Sequence, residues 1–108
     1  MGMNMQKMMR QMQKMQADLE RVQAELEDMT VEGTAGGGAI TVAVTGHQVV
    51  KEIKIQPDAV DPEDVEMLED LILAAVNDGL RKSRELSASE LEKVTGKVNL
   101  PGMPPGLL

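Results

Sequence analysis

The chemistry open to this chain is carried by cations. Lys7, Arg10 and Lys14 lie in residues 1–16, a stretch that holds no acid. On a helix turning about 100° per residue, they and Arg21 fall within a band of roughly 60°. Such a band presents one positive face to a polyanion. Arg81, Lys82 and Arg84, followed by Lys93 and Lys97, make a second basic stretch. Acid concentrates between them: residues 17–32 carry six acids against the single Arg21, and residues 58–70 carry seven acids and no base. A formal net charge of −7 argues at first sight against a nucleic-acid partner. The segregation removes that objection, because the mean hides two basic ends. With no Phe, Trp or Tyr in the chain, nothing can stack on unpaired bases, which disfavours single-strand platforms. Phosphate contact by Lys and Arg on helices remains, a mode that suits duplex DNA and carries little sequence information. The blander account is that these charges only solvate an exposed helix.

Other chemistries each lack a member. Gly36-Gly37-Gly38 has no following Lys-Ser/Thr and leads into a strand, so it reads as a hairpin link and not a phosphate cradle. His47, the single histidine, has no nucleophile or ligand partner at motif spacing. Asp58, Asp61, Glu63, Asp64, Glu66, Glu69 and Asp70 lack the Asp-x-Asp-x-Asp-Gly loop of a calcium site and read as a solvated helix start. Met5, Met8, Met12 and Met15 could ligate a soft ion, but an apolar helix seam explains the same spacing. Zero cysteines exclude disulfides and thiolate sites. No constellation supports an enzyme, a metal or a cofactor.

The elements that position the cations follow from periodicity. Met5, Met8, Met12, Met15, Leu19, Val22, Leu26 and Met29 are spaced by threes and fours, a coiled-coil-like seam sustained for more than three heptads. A helix over residues 1–29 is therefore predicted, about 40 Å long at 1.5 Å per residue. The basic band lies about 130° around it from the seam. The rest of the chain makes a narrower globule, so the helix should project, and its seam should bury against a second copy. Residues 30–56 change period from 3.6 to 2 and predict a three-stranded antiparallel meander, with Ile40, Val42 and Val44, then Ile53 and Ile55, facing inward. Asp61-Pro62 starts a second helix over residues 61–95, Asp61 as N-cap and Pro62 at the first helical position. Ser87-Ala88-Ser89-Glu90 could open a separate helix, but a continuous one to about Val94 is expected. Residues 99–108, with three prolines and two glycines, read as an irregular tail. The fold class is α+β, helix–three strands–helix, in one domain over residues 1–98. The Met/Gln/Lys opening is no signal peptide, and the run Leu71 to Val76 is too short to span a bilayer, so a soluble intracellular protein is expected.

Several stretches carry a family resemblance. Gly33-Thr34-Ala35-Gly36-Gly37-Gly38-Ala39-Ile40-Thr41-Val42, Ile53-Lys54-Ile55-Gln56-Pro57 and Glu66-Met67-Leu68-Glu69-Asp70-Leu71-Ile72-Leu73-Ala74-Ala75-Val76-Asn77-Asp78 resemble the YbaB/EbfC family of bacterial nucleoid-associated proteins, as do Thr95-Gly96 and Leu100-Pro101-Gly102. The resemblance implies a homodimer whose first helices project like tweezers from a body of sheets and second helices. It implies binding of double-stranded DNA with weak or broad sequence preference, a cytoplasmic, nucleoid location, and no catalysis. The matching DNA-contact positions are Lys7, Arg10, Lys14 and Arg21 with Arg81, Lys82 and Arg84; Met8, Met12, Met15, Leu19, Val22 and Leu26 form the seam. The chain departs from the pattern in lacking an added basic patch before Leu107-Leu108. A rival reading is a dimeric helical adaptor whose Met-rich seam grips a partner protein at the helix tips.

Overall fold

The structure, a computed structural model, describes residues 4–96. The tail expected over residues 99–108 lies outside them. Helix α1 (Met5–Asp28) leads into strands β1 (Thr30–Ala35), β2 (Ile40–Thr45) and β3 (Val50–Ile55), a single 3₁₀ turn (Pro57–Ala59), and helix α2 (Val65–Thr95). The strands form one antiparallel sheet in the order β1-β2-β3. The predicted order of elements holds throughout, and α2 runs unbroken past Ser87.

Local chemistry explains the boundaries. Asn4 caps α1, its side-chain oxygen accepting from the Gln6 N–H at 3.1 Å. The helix holds no Gly or Pro and stops where Met29 turns extended. Gly36, Gly37 and Gly38 take φ of 65°, 67° and 94° in succession, a left-handed run that only glycine adopts without strain, and this closes the β1–β2 hairpin. The start of α2 differs from expectation: Asp64 is the N-cap, accepting from the Met67 N–H at 3.1 Å. Asp61 instead accepts from the Glu63 N–H at 2.9 Å, within a turn closed by Asp64 N–H to the Asp61 carbonyl at 3.0 Å. Proline suits the second position of such a turn as well as the first of a helix, so the sequence held two admissible starts three residues apart.

Two apolar clusters hold the elements together. In the first, Ile40, Val42 and Val44 of β2 are fully buried against Ala75, with Val31, Leu68, Leu71, Ile72, Val76 and Leu80 around them. Close approach makes this possible: a Cβ on Gly33 would stand 2.2 Å from the Ala75 carbonyl oxygen and 2.2 Å from the Gly79 nitrogen. Helix α2 thus lies directly on β1, along the buried line Ala75, Gly79 and Ser83. The Ser83 hydroxyl donates to the Thr45 carbonyl and accepts from the Gln48 N–H, so the buried polar group is satisfied.

The second cluster corrects the seam's expected partner. Val22 and Leu26 are buried within the chain, against Val94 with Leu86 and Leu91 of α2; Met15 and Leu19 are half-buried beside them. The lower half of the seam therefore packs on the chain's own second helix and not on a second copy. A single sequence shows that a seam must be covered but not by what. Beyond Met15 the helix is bare, with Met8 and Met12 exposed, and the molecule extends to 76 × 25 × 16 Å.

The inward placement of Ile53 and Ile55 also needs correction. They pair with Val42 and Ile40, which puts them on the α2 side of the sheet, yet they remain 44% and 37% exposed. Helix α2 crosses β1 and β2 and stops short of β3. Alternation gave the face correctly; coverage depended on where the helix lay.

Candidate nucleic-acid interface

The cations named from the sequence divide by what surrounds them. Lys7, Arg10 and Lys14 all stand exposed on the projecting part of α1, and none makes an ion pair among the described residues. Arg21, one turn and more further down, is held by Asp18 at 3.7 Å and Glu25 at 3.1 Å. These partners sit three residues before and four after it, the positions a helix brings together.

On α2 the division repeats. Arg81 reaches Asp78 at 2.9 Å and Glu85 at 2.8 Å, and this company holds the guanidinium's pKa above its ordinary value. Lys82 pairs with Asp78 at 3.1 Å and donates to the Glu32 carbonyl at 3.0 Å. Asp78 is the centre of this cluster. It accepts first from the Thr34 N–H of β1 at 3.0 Å, then from Lys82 and Arg81, and these bonds hold its carboxyl down at about 2. Arg81 and Lys82 therefore belong to a brace between α2 and β1. Arg84 points away from that brace, exposed and without an ion pair among the described residues.

His47 stands in the β2–β3 turn with its Nε2 2.6 Å from the Gln23 carbonyl, which ties the turn to α1. The triglycine hairpin borders an open hollow with Gln56, Asp58 and Ala59. Among the described residues no three His, Cys, Asp or Glu side chains converge as a metal site. No described helix is long and apolar enough to cross a membrane.

Two features escaped sequence reasoning. Asp78 belongs to no motif, although its spacing of three and four to Arg81 and Lys82 is a readable signal. The bare apolar surface on β3 was not foreseen: Val50 at 38%, Ile53 and Ile55, with Leu73 at 61% on α2. On the helical wheel Leu73 lies on the flank of α2 opposite Asp78 and Lys82, the pair that faces β1. That flank faces away from the β1 edge of the sheet.

Fold and charge together define an α+β protein that carries a projecting basic helix on a braced helix-on-sheet body. A sequence profile of the YbaB/EbfC DNA-binding family matches residues 1–98, and the chain belongs to that family. Relatives named nucleoid-associated protein include one from Desulforamulus reducens, 55% identical over 103 residues, covering 95% of this chain and 98% of the relative. Another, from Geobacillus sp. strain WCH70, is 60% identical over 100 residues, 93% of each chain. The fold is similar to the crystal structure of an uncharacterized protein from Helicobacter pylori, at a TM-score of 0.73 and 19% identity, over 88% of this chain and all of that one.

Proposed function

We propose that the chain is a nucleoid-associated protein of the cytoplasm. It binds duplex DNA as a homodimer, with weak or broad sequence preference, and so affects DNA organisation and gene expression. The observation that carries this reading is the free basic band: Lys7, Arg10 and Lys14 project on a helix face that no carboxylate neutralises among the described residues. Phosphate contact requires cations that are not already spent on an internal partner. By that criterion Lys7, Arg10, Lys14 and Arg84 make the contacts, while Arg21, Arg81 and Lys82 serve mainly the chain's own helices. The acid-rich start of α2 keeps the body off the duplex and restricts contact to the arms.

The dimer closes on the β3 surface, where Val50, Ile53 and Ile55 lie exposed on the α2 side of the sheet. An apolar sheet face at an edge strand needs covering, and a small aliphatic core gains stability from it. The arms of the dimer then stand clear to straddle a duplex.

The test is fluorescence anisotropy of a labelled duplex at several salt concentrations. Lys7, Arg10, Lys14 and Arg84 of each protomer would together engage about eight phosphates per dimer, giving a log–log salt slope of about −7. A slope near zero would rule the mechanism out. The adaptor reading draws on the exposed Met5, Met8, Met9 and Met12. It would be favoured by a wild-type protein that binds no duplex yet loses a protein partner when these methionines are made polar.

A further inference from the structure

Resting on the DNA-binding reading, a second surface on the same arm acquires a role. Met5, Met8, Met9 and Met12 are 70%, 38%, 56% and 63% exposed, an apolar stripe with nothing on it among the described residues. On the helical wheel their centre lies roughly 180° from that of Lys7, Arg10 and Lys14. The arm is therefore two-faced: base on one side, methionine on the other. We infer that this stripe is the contact surface for the arm of a second copy, formed when both arms lie on DNA, so that paired arms hold two duplexes side by side.

The stripe itself selects that occupant. It continues the seam Met15, Leu19, Val22 and Leu26, which this chain already uses to pack helix against helix. It is too small for a constitutive complex: four partly exposed methionines on each arm bury well under the roughly 1,000 Å² that a stable specific interface clears. In free solution two such arms also bring like charges together, three cations on each, with no acid on residues 5–16 to offset them. DNA removes both obstacles. Phosphates neutralise the bands, and bound copies meet at a raised effective concentration. Because base and methionine lie on opposite faces, two arms joined through methionine turn their basic bands outward in opposite directions. The pair is then a bar with a duplex-binding surface on each side. Methionine suits such a contact, since its flexible thioether packs without a fixed register.

Bridging and single-duplex binding are read separately. A duplex immobilised on beads is incubated with protein and a second, labelled duplex, and capture of the label is measured; anisotropy gives the affinity for one duplex. In the Met5/Met8/Met9/Met12→Gln variant the arm keeps a helix-forming residue of similar length at each position. The wild type should capture the second duplex, and the variant should capture at least tenfold less while its single-duplex Kd stays within about twofold. Equal capture by both proteins overturns the inference. So does a wild type that binds one duplex and captures no second, an outcome that leaves the DNA-binding reading standing. A wild type that binds no duplex defeats both. A second measurement uses the absence of cysteine from the chain: Met8→Cys should form an intermolecular disulfide under mild oxidant at least tenfold faster with DNA than without. Equal rates would show a contact independent of DNA and overturn the inference.

Discussion

The two basic stretches of this protein have similar composition and opposite surroundings. On α1, Lys7, Arg10 and Lys14 make no ion pair among the described residues; on α2, Arg81 and Lys82 converge on Asp78 and hold a helix to a strand. A cation's availability for phosphate is thus decided three and four residues away along the helix and by what lies opposite. On the arm, the residues at those spacings are Met, Gln, Asn, Ala and base, with an acid only at Asp18, four beyond Lys14. In α2, acids bracket the first two bases and leave Arg84 free.

The largest expected effect breaks the comparison at its active side. Lys7/Arg10/Lys14→Glu should weaken duplex binding at least a hundredfold at 100 mM salt and flatten the salt slope, with dimer and melting temperature unchanged, as checked by anisotropy and calorimetry. Next comes the frame that holds the arm. Leu26 is fully buried between α1 and α2, so Leu26→Ala should cost about 3 kcal/mol of stability in denaturant unfolding. It should also loosen the arm's root, seen as faster amide exchange in residues 15–28.

A smaller effect sharpens the comparison at its braced side. The Asp78 carboxyl, held at about 2 by Thr34, Lys82 and Arg81, lies below its usual value of 3.8. Its contribution to stability is therefore fully present above about pH 4 and lost as pH falls toward 2. Asp78→Asn should lower the melting temperature at pH 7 and remove part of the decline between pH 4 and 2, both measurable by thermal scans. The same change removes one of the two acid partners of Arg81 and the single ion pair of Lys82, so duplex affinity should hold or rise. The smallest effect is Arg81→Gln, which should change duplex affinity by no more than about twofold in the titration where Lys7→Gln lowers the salt slope by about one unit per arm.

Much of the architecture was legible residue by residue. Spacings of three and four from Met5 to Leu26 marked α1, the alternation of Ile40, Val42 and Val44 marked the central strand, and the absence of Gly or Pro kept α1 unbroken. Asp61-Pro62 misled because a turn and a helix start use the same two residues. Ile53 and Ile55 were assigned to the right face, but their coverage depended on the position of α2, which the close approach of Gly33 and Gly79 draws over β1 and β2. Of the candidate site, the seven cations were all visible, whereas their division into free and braced was only half so. Arg21 and Arg81 have acid partners at helical spacing that could have been read; the Thr34 N–H and Glu32 carbonyl that complete the brace lie 44 and 50 residues away.

The sequence alone determined which segments are helix and strand, because those depend on periodicity, caps and backbone freedom within a few residues. It also determined that positive charge would gather on one face of a long helix, since helical geometry is the same everywhere. Tertiary structure alone decided that the lower seam is covered by α2, that β3 is left bare, and that Asp78 ties Lys82 to β1. Each of these depends on which distant surface lies closest, and no local rule of spacing contains that distance.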